Sequence, residues 1–361
     1  MGFYLPLILI PAFLVALIGK FFFPHKITLK EWGLQGLGVI ISTALCMGIV
    51  TVSSFGYSSD ISIFNGEVTG KDSVHVSCSH QYVCGETCRT ETTTDSKGKR
   101  SSRRVCSPKY CDEHAYDIDW DVYTTLGTYT IDRVDRRGTS MPVRWDLVNN
   151  GDPVSKSVMV TNYMLLDEDR FKTSSAIHAR FAEQLPAYPE IFNYYMIHRV
   201  IVTFPGEYEK IGDWLSNQLR KDGKEKELNV ILVVTRNQPD YFYALMEHWK
   251  GVKKNDVVIV YGVDEEQNVT WAQAMSWAEG QNNQVMLKQL QSMTYERKFD
   301  QKLVEEQYGL IVKEFKRVPN EHFEYMRAGW VPPTWIIVLM ALFNLGTAVG
   351  IAWFVIKEDV A

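Results

Sequence analysis

Three long runs with no charge at their centre constrain what this chain can fold into. Residues 3–23 read FYLPLILIPAFLVALIGKFFF, with Lys20 as their single charge near one end. Residues 33–53, GLQGLGVIISTALCMGIVTVS, and 335–356, WIIVLMALFNLGTAVGIAWFVI, carry none. A helix needs about 20 apolar residues to cross a hydrocarbon core of roughly 30 Å, and each run meets that length. Uncharged stretches of this length are rare in soluble folds. The expectation is three transmembrane helices, two N-terminal and one C-terminal. Trp335 and Trp353 stand near the ends of the third run, where indoles favour the interface. Pro332 and Pro333 precede it and suit a helix start. A cleaved signal peptide is the alternative for the first run, but it lacks a basic leading segment and a second apolar run follows at once.

The loop between the first two runs, PHKITLKE, carries Lys26 and Lys30, with Lys20 just before it. The positive-inside rule places this loop in the cytoplasm. The N-terminus and the body from about 55 to 331 are then external, in a periplasm or its equivalent. The tail KEDVA returns to the cytoplasm. Arg327 lies outside, near the third run, and weakly opposes this orientation. The expected location is the inner (cell) membrane, multi-pass. The net charge of -5 over 361 residues points away from nucleic acid as a partner.

Sidedness bears on the cysteines. Cys46 lies inside the second apolar run as a small apolar residue. Cys78, Cys84, Cys88, Cys106 and Cys111 lie in the external part. The pairs Cys84/Cys88 and Cys106/Cys111 have the two-plus-two arrangement of a structural zinc site, and His75, His80 and His114 flank them. The same arrangement suits a hairpin whose arms are bridged by disulfides. An external compartment favours the oxidised form. With five cysteines, one is left over, and connectivity is not readable from spacing. The segment between the pairs, TETTTDSKGKRSSRR, has no apolar residue. It reads as an exposed hairpin tip, made basic by Lys97, Lys99, Arg100, Arg103 and Arg104. Such a tip is either solvated or set against anionic lipid or an acidic partner.

The remaining body divides by pattern. Residues 55–170 read as β-rich. In DIDWDVY, Ile118, Trp120 and Val122 alternate with Asp117, Asp119 and Asp121, the period of a strand with one apolar and one solvated acidic face. Residues 171–331 alternate helix and strand. A helix over 176–185, a strand over 196–204, a helical face of Ile211, Trp214, Leu215 and Leu219, and the apolar runs NVILVVT and DVVIVYGV describe an α/β domain on a central sheet. NVTWAQAMSWA adds an edge strand. The partition is 1–54, two membrane helices; 55–170, β region; 171–331, α/β domain; 332–361, last helix and tail. The fold class is therefore an α/β plus β membrane protein.

The stretch KKNDVVIVYGVDEEQNVTWAQAMSWA resembles the TPM domain, a membrane-tethered α/β domain, over about 195–295. Asn255, Asp256 and the strand Val257–Tyr261 stand where that family has an acidic residue, Asn and Gly before its strand. Here the glycine is missing and the Asn and Asp are reversed. The resemblance implies phosphatase activity or calcium binding. The whole layout, with FEYMRAGWVPPTW leading into the last helix, resembles uncharacterised membrane proteins of large tailed phages, which implies no activity.

Phosphate loops, HExxH, GxSxG and dinucleotide fingerprints are missing from the sequence. Asp240, Asp256 and Asp264 lie near strand ends, where α/β folds place sites, and form a candidate cation site. Gly346 and Gly350 make a GxxxG pattern suited to helix pairing. The expected function is a non-enzymatic, membrane-anchored protein. Its external body would mediate self-assembly or contact with another envelope protein, with the bilayer as its other partner. No cofactor is expected, zinc or calcium being the exceptions. The alternative is a TPM-type metal-dependent phosphatase on the external face.

Overall fold

The computed structural model describes residues 5–94, 98, 100–167, 169–206, 208–277 and 281–358. The chain forms a mixed α/β structure with three apolar helices, Leu5–Phe22, Leu29–Tyr57 and Thr334–Glu358. The second and third are long and apolar enough to cross a bilayer, and the first holds a shorter apolar stretch, Ile8–Phe22. The Glu31 carboxylate accepts the Thr28 amide and closes the start of the second helix. Small side chains let the helices approach: Ala12 and Ala348 are fully buried and cluster with Val39.

The strands are β1 (Ser59–Val76), β2 (Gln81–Thr94), β3 (Arg100–Asp112), β4 (Asp117–Thr124), β5 (Gly127–Ile131), β6 (Pro153–Thr161), β7 (Ile191–Phe192), β8 (Met196–Ile197), β9 (Val200–Val202), β10 (Asn229–Thr235), β11 (Asp256–Val263) and β12 (Val269–Ser276). One sheet has the order β5-β4-β1-β6 and another β12-β11-β10-β9, so β12 takes the edge expected of it. β2-β3 and β7-β8 are separate hairpins.

The chain divides into two compact units that interleave along the sequence, whereas the pattern-based partition runs in continuous blocks. One unit is Met1–Ser62, Val158–Tyr188 and Val233–Ala361; the other is Ile63–Ser157 and Pro189–Leu232. In the first, every residue of β11 is buried, as its continuous apolar run requires. Gly262 is obligatory there, because a Cβ would lie 1.9 Å from Trp271 Nε1. In the second, β1 pairs antiparallel with β4, from Val68↔Thr124 to Val76↔Asp117. Its core gathers Val68, Trp120, Val122, Ile131, Val148 and Val154. The helix Glu209–Lys226 buries Ile211, Leu215, Leu219 and Gly223, while Trp214, expected on that face, is half-buried.

Candidate functional site

The cysteine segment is the antiparallel hairpin β2-β3. Cys88 faces Cys106 directly in register, and Cys84 lies at the irregularity between Val83 and Gly85. Disulfides join Cys84 to Cys111 and Cys88 to Cys106. This removes the four-cysteine zinc alternative, because a sulfur in a disulfide is no longer a thiolate ligand. Cys46 and Cys78 remain as buried free thiols. Arg100, Arg103 and Arg104 are exposed on β3; Lys97 and Lys99 lie outside the described residues. Arg103 stands opposite Glu91 in the ladder, and the Glu91 carboxylate pairs with Arg89 on its own strand at 2.7 Å. Tyr82, Val83 and Tyr110 are exposed on the stem, with Val83 opposite Tyr110. The hairpin therefore presents an apolar stem and a basic distal half.

The acidic face expected of β4 is only partly solvated. Asp117 is fully buried. Its Oδ2 accepts from the Ser79 amide at 2.9 Å, the Ser79 hydroxyl at 3.1 Å and Arg133 Nη1 at 2.8 Å. Led by the Ser79 amide, and with Arg133, these donors hold the carboxyl well below the usual carboxylate range against the opposing effect of burial. Arg133 also binds Asp119 at 2.8 Å, and Asp121 takes the Thr130 hydroxyl at 2.6 Å.

The candidate cation site does not assemble. Asp256 opens β11 and Asp264 follows its end, so the eight-residue strand separates them by roughly 26 Å. Asp256 is fully buried, and its Oδ2 accepts from Lys253 N and Tyr188 OH, each at 2.8 Å. Asp264 instead closes a turn, accepting from Asn268 N and Nδ2 at 2.8 Å each. Asp240 is exposed and pairs with Arg180 at 3.2 Å. The three carboxylates each hold local structure. A cavity of about 620 Å³ is lined by Leu166, Asp167, Tyr325, Met326, Trp330 and Pro333 among others. These residues carry no nucleophile with a base beside it.

Two polar groups that the sequence reading passed over organise the structure. Arg199 is 2 % exposed. It donates to Ser216 Oγ at 3.0 Å, Asn229 Oδ1 at 2.6 Å, Asn65 Oδ1 at 2.6 Å and Ser155 Oγ at 2.9 Å. Asn344, fully buried among the apolar helices, bonds to the Ser42 hydroxyl and donates to Thr43 Oγ1 at 2.9 Å, while Gln35 donates to the Ala348 carbonyl at 3.1 Å. A guanidinium inside an apolar strand pattern and amides inside apolar runs were the available signals.

Asp135 is expected to make the body acid-sensitive. Its carboxylate accepts from Gly138 N at 2.7 Å, Arg137 N at 2.9 Å and Ser140 N at 2.6 Å. The Ser140 contacts lead in holding its pKa far below normal. A depressed folded pKa stabilises the fold above the unfolded value of about 3.9, and that contribution fades as pH falls below it. The thermal midpoint is therefore expected to drop as pH falls from 5 towards 2 (roughly,). In Asp135→Asn that drop is expected to be shallower, and an identical slope in both proteins would remove Asp135 as a cause.

Comparison with protein-family models, with curated proteins and with solved structures finds no match to this chain.

Proposed function

We propose that the chain is a non-enzymatic, multi-pass protein of a cell membrane whose disulfide-braced external body makes protein-protein contacts, with other copies of the chain as the first candidate partner. The observation that carries this reading is the inverted polarity of the helical bundle. Gln35, Ser42 and Asn344 are buried between helices, while Phe13, Leu17, Ile40, Ile41, Leu342 and Phe343 face outward. A water-soluble bundle has the opposite arrangement. In hydrocarbon, polar groups turn inward and hydrogen-bond across helices, and apolar side chains meet lipid. The first helix shares in this: its Ile8 carbonyl accepts from Asn344 at 3.4 Å. Lys20, Lys26 and Lys30 support a cytoplasmic first loop, and disulfides suit an external body.

Assembly is supported by surfaces the chain leaves uncovered. A Cβ at Gly346 or Gly350 would meet nothing within 4 Å among the described residues, so this small-residue pair is left open there. The exposed Tyr82, Val83 and Tyr110 offer apolar contact area on the hairpin. The TPM-type phosphatase reading gains no such support, because it needs an accessible Asp256.

A membrane-impermeant thiol reagent on intact cells tests the topology. Labelling is expected at Cys84, Cys88, Cys106 and Cys111 only after an external reductant. Labelling of these four cysteines without reductant, or only after permeabilisation, would overturn the external disulfide-bonded body. Mass measurement of the detergent-purified full chain tests assembly. A multimer or a stoichiometric protein partner is expected, and a strictly monomeric, partner-free particle would remove the contact role.

A further inference from the structure

At the root of the hairpin, three different metal-binding side chains converge. β1 ends at Val76, which pairs with Asp117, the first residue of β4. Residues 77–116 leave and return through this point. Cys78 and His80 stand on the outgoing leg and Asp117 on the returning one. Cys78 Sγ, a ring nitrogen of His80 and an Asp117 carboxylate oxygen all lie within 4.8 Å of one another. We propose that Cys78, His80 and Asp117 bind one zinc ion, which clamps the root of the disulfide hairpin.

The spacing fits. Zinc-ligand bonds of about 2.0–2.3 Å give tetrahedral edges of roughly 3.3–3.8 Å. His80 Nδ1 stands 3.3 Å from the Asp117 carboxylate at Oδ2, so imidazole and carboxylate are close enough to share one ion through the neighbouring Oδ1. The donor set of thiolate, imidazole and carboxylate suits zinc and excludes calcium and magnesium, which take oxygen ligands.

The free valences point the same way. Asp117 Oδ1 is buried with no hydrogen-bond partner among the described residues, and His80 Nδ1, also without a hydrogen bond, has only the ion-pair contact to Asp117 Oδ2. Buried polar atoms of this kind call for an explanation, and a bound metal ion is a standard one. Ser79 and Arg133 hold the other carboxylate oxygen, as outer-shell donors orient a metal-binding carboxylate. Cys78 Sγ accepts the His80 amide at 3.4 Å and its thiol donates to the His80 carbonyl at 3.2 Å, which fixes the sulfur beside the imidazole. Charge also balances: the Cys78 thiolate, Asp117 and Asp119 bring three negative charges against Arg133, leaving two to match a divalent ion. Binding exchanges the Cys78 thiol proton, released to solvent, for a zinc-sulfur bond. Three protein donors leave a fourth position for water or for His114, whose ring centroid is 6.1 Å from that of His80.

The test uses the full chain, purified without a tag in detergent, stripped with chelator and titrated with cobalt(II) and then zinc. One cobalt per chain is expected, with sulfur-to-cobalt charge-transfer absorption that zinc abolishes. Zinc is also expected to protect Cys78 from alkylation in the wild-type chain. Cys78→Ser is expected to lose the absorption, and His80→Ala and Asp117→Asn to bind zinc about 10–100-fold more weakly. Non-reducing peptide mapping of Cys84–Cys111 and Cys88–Cys106 confirms the hairpin in each variant. A wild-type chain with no charge-transfer band, or unprotected Cys78, would overturn the site. So would unchanged affinity in Cys78→Ser with both disulfides intact.

Discussion

Replacing Arg199 with methionine is expected to lower the stability of the body by about 3–5 kcal/mol, the cost of leaving several buried polar atoms without their donor at about 1–3 kcal/mol each. Asn65 comes from β1, Ser155 from β6, Ser216 from the helix Glu209–Lys226 and Asn229 from β10, and one guanidinium reaches all four. Methionine keeps much of the volume, so the loss reports the polar atoms left without their donor rather than a cavity. Lysine keeps the charge but not the planar fork, and is expected to recover only part of the loss. Urea unfolding of the detergent-solubilised chain, followed by tryptophan fluorescence, checks both variants. A loss below about 1 kcal/mol in Arg199→Met would show that the network closes without its cation.

The same residue shows where sequence pattern stops being informative. Residues 196–204 read as one strand, but the structure forms β8 and β9 with His198 and Arg199 between them. His198 stacks on Phe192 at 4.4 Å while Arg199 turns inward. Local propensity carries no record of partners that lie far along the chain. β10 and β11, in contrast, were legible to the residue or nearly so, because a strand buried on both faces writes a continuous apolar run. The apolar helices were legible for a similar reason, although their internal amides were not weighed.

The site followed the same division. Spacing alone left disulfide and zinc both open for the cysteine segment, and the register of β2 against β3 decides it by setting Cys88 opposite Cys106. The period-two pattern located β4 and its faces but not the burial of Asp117, whose partner Arg133 arrives from beyond β5. Asp240, Asp256 and Asp264 were grouped because each lies near a strand end. Asp256 and Asp264 occupy opposite ends of the same strand, so the grouping had no spatial basis.

Two glycines with almost the same backbone angle are expected to respond very differently to substitution. Gly138 has φ +80° and Gly98 has φ +79°. A Cβ on Gly138 would lie 2.0 Å from the Ile118 carbonyl oxygen, whereas one on Gly98 would meet nothing within 4 Å among the described residues. Backbone cannot withdraw as a flexible side chain can, so Gly138→Ala must push the loop away from β4. That movement breaks the bond from Ile118 N to the Arg137 carbonyl at 2.8 Å and that from Trp120 Nε1 to the Gly138 carbonyl at 3.0 Å. Gly138→Ala is therefore expected to cost about 3 kcal/mol or more, and Gly98→Ala about 1 kcal/mol, the left-handed strain alone. Asparagine separates the two causes, since it tolerates the left-handed region but still carries a Cβ. Gly98→Asn is expected to be nearly neutral and Gly138→Asn as damaging as alanine, read from the thermal midpoint of each variant. Rescue of Gly138 by asparagine would show that the backbone angle, and not the contact with Ile118, makes glycine necessary there.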